Sequence, residues 1–511
     1  MSSLTNLVSH PSRAVQVATA WCLRCLCISL PTNLAKLIQT LSAKLSTDLG
    51  TIGNNGANFQ DVSTRAIGLA YAIGGLVTVI SIHPLYVSFE MSARIFSLAA
   101  QLIKNSANKD IRVAAAQVQI AWILIGALMC LGPNFVRMHL PQLLLLWKNA
   151  LPKFTAKDAT NTARTELDWA LMVHTREYAL GSIASFLFHN SDKLVTVDVS
   201  KRLSALLSNT LAFAAVVPTS FPQQQSTSGA KQQHELLNTK FSERDDALRK
   251  RIFECFIAMR HTSAYEMYHP ALIKAALDVF SDPERTSGTA VTNAVSAASF
   301  TTVWAVDDGY GYGVTGKVQG MRCDVAGRTS GRTEEILDGK DYDRANWTTD
   351  ALLKKPILGA PEHDPLVVYT SYALPSAVSQ YSLPKPRPTA TGVIDAAIEL
   401  FAILLPCQSS ALQGSLMDDL SKMLKSSTLD KNPGRKMAIQ VNAVVSILGA
   451  TKYAMAESKR SEHRPFEGPL ASSLSQSILR VSNASSEMDV WIGASICFQE
   501  QSQVIHISII C

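Results

Sequence analysis

An all-α fold built as a stack of helix pairs, an α-solenoid with a long irregular insertion, is the class that this 511-residue sequence predicts. Three observations predict it. Apolar residues recur at helical spacing in one segment after another. Proline or glycine punctuates the ends of these segments, most often as a Leu-Pro step. The first helices of successive pairs begin near Arg13, Thr64, Asp110 and Thr165, spaced by roughly 45–55 residues, close to the ~40–47 of HEAT and armadillo units. A lone helix pair cannot bury both of its apolar faces, so pairs of this length cover one another by stacking.

The elements follow in chain order. A helical run from Ser12 to Leu30 stops at Pro31. The next, Asn33 to Leu49, carries Leu34, Leu37, Ile38, Leu41 and Leu45 on one face, the i, i+3, i+4 spacing of an amphipathic helix. After a Gly/Asn-rich loop, an apolar run from Thr64 to Ile82 stops at His83-Pro84, and an amphipathic helix continues to Lys104. Asp110 to Leu131 is apolar all round and stops at Gly132-Pro133; a helix then runs through Trp147 to Pro152. Thr165 to Asn190 and Ser200 to Val217 form the fourth pair. Proline lacks an amide hydrogen and clashes with the preceding turn, which accounts for the stops at Leu30-Pro31, Leu140-Pro141, Leu151-Pro152 and Leu405-Pro406; Pro141 alternatively kinks its helix.

The stretch from Phe221 to Thr239 is polar and Gln/Ser-rich, a flexible loop by composition. Helices resume over Phe241–Arg260 and Pro270–Phe280; in the second, Leu272, Ile273, Ala276, Val279 and Phe280 form the buried stripe, with Lys274 and Asp278 outside. Thr391–Leu405 places Val393, Ile394, Ala397, Ile398, Phe401 and Leu405 on one face and Asp395 and Glu399 opposite. Ser410–Lys425, Arg435–Ala456 and a last helix from Pro469 follow. The expected organisation is a helical array over residues 1–285, an irregular, partly disordered insertion over 286–388, continuing helices over 389–482 and an atypical tail over 483–511.

Composition bounds function. Hydrophobic residues make up 47% of the chain and charged residues 17%, so there is enough apolar surface to offset the entropy of ordering. The formal charge of +6 is small for this length. The densest basic cluster, Arg249-Lys250-Arg251, follows Asp245 and Asp246 and reads as a solvated helix face; no one-signed stripe of a nucleic-acid footprint is visible, and no nucleic-acid partner is expected. Cys22, Cys25 and Cys27 are the single cysteine cluster, without the second Cys or Cys/His pair that a structural zinc requires, and read as small buried hydrophobes in a reducing cytosol.

The sharpest lookalike for chemistry is Gly311-Tyr-Gly313-Val-Thr-Gly316-Lys317-Val318. It satisfies the dinucleotide glycine pattern, yet Val318 lacks the hydroxyl a phosphate loop gives to magnesium, and the flanks lack the required strand and helix. His83, His139, His174, His189 and His269 read as helix-end or surface histidines. No catalytic, cofactor-binding or metal-binding residue is nominated, no cofactor is expected, and partner-binding residues are left unassigned. The reading is not an enzyme.

Val113–Leu131 is about long enough to span a bilayer, and Ile67–Ile82 nearly so. Gln117 and Gln119 in the first run, and two glycines in the middle of the second, weigh against lipid; burial between stacked helices explains both runs and the repeat spacing. The stripe FVRMHLPQLLLLWKNALP reads as core, its exposed members remaining candidates for a binding face.

The strings RAVQVATAWCLRCLCISLPTNLAKLI, IAWILIGALMCLGPNFVRMHLPQLLLLWKNALP, REYALGSIASFL, EHDPLVVY and TGVIDAAIELFAILLP resemble the HEAT repeat-containing protein 5 family, whose fungal members are large accessory proteins of the clathrin adaptor complex at the trans-Golgi network and endosomes. The resemblance runs from about Arg13 to Val481 and is weakest between Ser287 and Ala360. It implies a non-enzymatic HEAT-repeat scaffold in vesicle traffic: endosome-to-Golgi retrograde transport, endocytosis and protein localisation. Its implied partners are the clathrin adaptor complex and accessory proteins; membrane association would be peripheral, through partners, from the cytosol. Family members are much longer, so it also implies a fragment or truncated member. A HEAT-type scaffold for another assembly, such as a kinase regulator or transport receptor, is the alternative, and an integral membrane protein is third.

Overall fold

The computed structural model describes residues 2–11, 13–52, 59–107, 110–154, 164–217, 246, 248–259, 261–282 and 391–424, with scattered residues between 427 and 479. Among the described residues every regular element is a helix, so the all-α class holds. The described residues fall into two compact units, divided between Ala264 and Tyr265. The glycine-rich motif at 311–318, the insertion 286–388 that contains it, the polar loop 221–239 and the tail 483–511 lie outside the described residues.

In the first unit the helices are α1 (Ser2–Leu7), α2 (Arg13–Ser29), α3 (Leu34–Ile52), α4 (Phe59–Ile80), α5 (Phe89–Ser106), α6 (Ile111–Leu128), α7 (Pro133–Ala150), α8 (Glu166–Leu194) and α9 (Val197–Ala214), followed by helical residues 248–258. Their ends are written locally. The Asp110 carboxylate accepts from the Arg112 amide ahead of α6, and Thr165 forms a capping box with Asp168 ahead of α8. Gly132, at φ 81°, turns the chain between the 3₁₀ tail of α6 and Pro133 at the first position of α7. Pro141 does not end a helix: α7 continues through it to Ala150, with Pro141 itself on the exposed side.

The first helices of the pairs pack on one another in sequence, α2 on α4, α4 on α6 and α6 on α8, while α3 packs on α4, α5 on α6 and α7 on α8. The first helices run parallel. Gln16 Nε2 donates to the Thr64 carbonyl, Arg24 Nε to Thr78 Oγ1, and the His83 ring meets the Ile28 carbonyl, at separations of 48, 54 and 55 residues. Between α6 and α8 the His174 ring meets the Ala115 carbonyl, Ser185 donates to the Gly126 carbonyl and Asn190 to the Met129 carbonyl, at 59, 59 and 61 residues. Partner numbers rise together along both helices, which only parallel neighbours allow. Each bond gives a buried or half-buried polar side chain a partner, as desolvation demands.

This arrangement surrounds the two long apolar helices of the first unit, α4 and α6. Asp61–Ile80 and Ile111–Leu131 are long and apolar enough to cross a membrane, and each is covered by protein: every residue of α6 from Val113 to Leu128 is buried. Trp122, Ile120, Ile123 and Ile125 are inaccessible to water; burying a side chain of this kind contributes about 1.5–3 kcal/mol. The α4 glycines serve the same packing. A methyl group on Gly68 would overlap the Val8 carbonyl and lie 2.9 Å from the Gln16 amide; one on Gly75 would lie 3.0 Å from the Ala20 carbonyl. Opposite α2, Arg65 holds Asp48 of α3 in a two-pronged ion pair at 2.6 and 2.8 Å.

In the second unit α10 (His269–Ser281) packs on α11 (Thr391–Leu404), with the Phe280 and Phe401 rings edge to face at 5.4 Å, and α12 (Ser410–Leu424) follows. The α10 stripe is buried and Lys274 and Asp278 are outside, as the periodicity predicts. Helix α11 departs from expectation: Glu399 is buried, because Ala396, Leu400, Ala402 and Ile403 make the helix apolar on the face assigned to solvent.

Candidate interaction surface

Sequence singled out cysteines, histidines and one basic cluster, and the structure redistributes them. Cys22 is exposed, Cys25 half-buried and Cys27 buried, all as free thiols. His174 and His269 are not surface histidines: both are buried, the first against the Ala115 carbonyl and the second 3.1 Å from Gln408 Nε2. The Arg249-Lys250-Arg251 cluster is no solvated face either. Lys250 and Asp246 are buried, Arg249 donates to the Ala214 carbonyl at 3.0 Å, and Arg251 pairs with Glu254 at 2.8 Å. Arg249 thus fastens residues 248–258 to the end of α9, while Arg251 and Glu254 pair within the segment.

The structure also brings together a pair that spacing could not reveal. Cys130 Sγ, after α6, lies 3.2 Å from His189 Nε2 on α8. Burial pushes the thiol up to about 12 and the imidazole down to about 4, so both are neutral at pH 7. A nucleophilic cysteine needs the thiolate, stabilised by a cation or helix N-terminus; here desolvation acts on both partners in the opposite direction. The pair is a neutral bridge between α6 and α8. No group of three or more His, Cys, Asp or Glu side chains capable of holding a metal occurs among the described residues. Phe154, Trp169 and Phe213 form an aromatic cluster, but Arg176 fills it, 3.9 Å over the Phe213 ring.

What the first unit presents outward is an apolar edge. Because the first helices are parallel, their C-terminal ends and the turns into the second helices share one side. Three contacts align these turns: His83 on Ile28, the Phe89 and Phe135 rings at 5.5 Å, and Cys130 on His189. Along that side Leu30, Ile82, Leu85, Phe89, Met138 and Phe188 are exposed, Leu85 almost completely at 96%. Sparse exposed apolar residues are ordinary, but several gathered on one side of a stack mark a candidate contact site. The expected core stripe in α7 is core on one side only, with Phe135, Val136, Leu143 and Trp147 buried and Met138 and Leu145 outside. A sequence signal for the edge existed in His83-Pro84-Leu85-Tyr86-Val87-Ser88-Phe89, an apolar turn where polar residues are the norm.

With this geometry in place, known proteins supply a comparison. The chain is similar to an adaptor accessory protein. It is 22% identical over 481 residues to AP-1 accessory protein LAA1 of Saccharomyces cerevisiae, a match covering 88% of this chain and 22% of that relative. The chain thus spans about a fifth of the length of the relative it matches. No family model matches it, and no solved structure does. The likeness supports the adaptor-accessory part of the resemblance seen in the sequence; the narrower assignment to HEAT repeat-containing protein 5 does not follow from it.

Proposed function

We propose that this chain is a non-enzymatic, HEAT-type scaffold segment serving clathrin-adaptor-linked vesicle traffic. The observation that carries the reading is the likeness to AP-1 accessory protein LAA1 along 88% of the chain. The stacked helices support it, since a solenoid offers extended surface for protein partners rather than a closed catalytic pocket. Within this reading the chain belongs with the HEAT repeat-containing protein 5 family, works from the cytosol at the trans-Golgi network and endosomes, and contributes to endosome-to-Golgi retrograde transport, endocytosis and protein localisation. Its partners are adaptor subunits and their accessory proteins. Burial of α4 and α6 inside protein favours this reading over an integral membrane protein.

Affinity capture of the tagged chain under gentle lysis, scored for AP-1 subunits, tests it. Enrichment of those subunits over a scrambled-tag control is expected. Capture of a different assembly without adaptor subunits would overturn the trafficking role.

A further inference from the structure

The charges on the second helices of the first unit are not distributed as the chain's modest total suggests. Helices α3, α5, α7 and α9 carry three carboxylates, and each is tied up: Asp48 with Arg65 at 2.6 Å, Glu90 with Arg94 at 2.6 Å and Asp198 with Arg202 at 3.0 Å. Helix α7 has no carboxylate at all. Lys36, Lys44, Lys104, Arg137, Lys148 and Lys201 are exposed on these helices and form no ion pair among the described residues. The row is one-signed. It was invisible in the sequence because its members come from helices about fifty residues apart.

Three of these cations stand at the apolar edge. Lys36, Arg137 and Lys201 lie within the first two turns of α3, α7 and α9, on the side where Leu30, Ile82, Leu85, Phe89, Met138 and Phe188 are exposed. The combination narrows the occupant. Recognition of a discrete carboxylate or phosphate group favours convergent arginines with planar, two-pronged geometry. Here the free cations are lysines except for Arg137, and they are dispersed over separate helices. Dispersed ammonium groups match a diffuse sheet of negative charge, and protruding Leu85 and Phe89 match an apolar layer directly beneath it.

We propose that this turn edge docks directly on an anionic lipid bilayer, with Lys36, Arg137 and Lys201 facing the headgroups and Leu85 and Phe89 entering the interface. This goes beyond the scaffold reading, in which membrane contact runs through partners, and it stands without that reading: vesicle binding is measured on the purified chain, adaptor capture in a lysate.

The test is co-sedimentation of the purified 511-residue chain with phosphatidylcholine vesicles prepared with and without phosphatidylserine. Binding is expected to the phosphatidylserine vesicles, weakening as salt rises from about 0.1 to 1 M and the screening length falls from ~10 to ~3 Å. Lys36→Gln, Arg137→Gln and Lys201→Gln are each expected to lower the partition coefficient roughly fivefold, and Leu85→Ser about tenfold or more. Leu145→Ser, about 18 Å along α7 from the edge, is expected to leave binding unchanged. All five positions are exposed, so unaltered circular dichroism and melting accompany these variants. Equal binding to both vesicle types, no binding to either, loss with Leu145→Ser equal to that with Leu85→Ser, or binding of fluorescent polyglutamate or single-stranded DNA without vesicle binding would each overturn the proposal.

Discussion

Replacing Gly68 with alanine sets two opposing effects against each other on α4, one of the two long apolar helices of the stack. In an unobstructed helix, glycine to alanine adds up to ~1 kcal/mol of stability. At Gly68 the new methyl would overlap the Val8 carbonyl, which is backbone and yields only if α1 and α2 move off α4, and it would press the Gln16 amide from 2.9 Å. Overpacking costs about 1–3 kcal/mol, and an overlap with backbone falls in the upper part, about 2–3 kcal/mol, so after the helix gain the balance is a net loss of about 1–2 kcal/mol. For a cooperative unit of this size that corresponds to a fall in Tm of roughly 2–8 °C. Gly50, in α3, has nothing within 4 Å of a prospective methyl, and Gly50→Ala should raise Tm instead. The assay is differential scanning calorimetry, or thermal unfolding by circular dichroism, on both variants side by side. If Gly68→Ala stabilised the chain as Gly50→Ala does, α2 would not lie against α4 and the reasoning would fail.

Further outcomes follow from the same contacts. His189 has its pKa pushed down by burial to about 4 from an ordinary 6.5, and His139 is lowered by the same cause; the unfolded chain therefore binds protons that the folded one refuses. Stability should be full above pH 6.5 and decline toward pH 4, by about 3 kcal/mol from His189 alone, and His189→Gln should flatten that part of a urea-midpoint profile. Cys22 should be alkylated rapidly by iodoacetamide at pH 8, while Cys130 and Cys255, buried with raised pKa values, should react only on unfolding, as read by mass spectrometry; fast native labelling of Cys130 would contradict its place between α6 and α8. Trp147→Phe removes the 2.8 Å hydrogen bond from Nε1 to Ser182 Oγ between α7 and α8, and should cost about 1–3 kcal/mol in a denaturant midpoint without loss of helicity.

Much of the fold is legible in the residues because its signals are local. Asp110 and Thr165 announce helix starts, Gly132-Pro133 a break, and the unbroken apolar run through Trp122 a helix covered on all sides. Burial of polar groups is less legible, since it depends on neighbours supplied from elsewhere in the chain. Lys250 and Glu254, four apart, look like a solvent-facing pair, yet Lys250 is buried, 4.0 Å from Glu254. Glu399 looks like the polar side of an amphipathic helix and is buried. The Cys130–His189 bridge arises from a 59-residue register that no motif encodes. Only once parallel first helices gather their turns on one side do Leu85 and Phe89 join Met138 in a patch, and only then does a row of cations stand out.

Protein, rather than lipid, covers Asp61–Ile80 and Ile111–Leu131. Hydrogen–deuterium exchange of those two segments, measured in detergent-free buffer and again with micelles added, tests this most directly. The expected result is a chain that stays monodisperse without detergent, with both segments among its slowest-exchanging peptides and no slower when micelles are present. Recovery of the chain only in detergent, or exchange in these segments that is rapid until micelles are supplied, would contradict it.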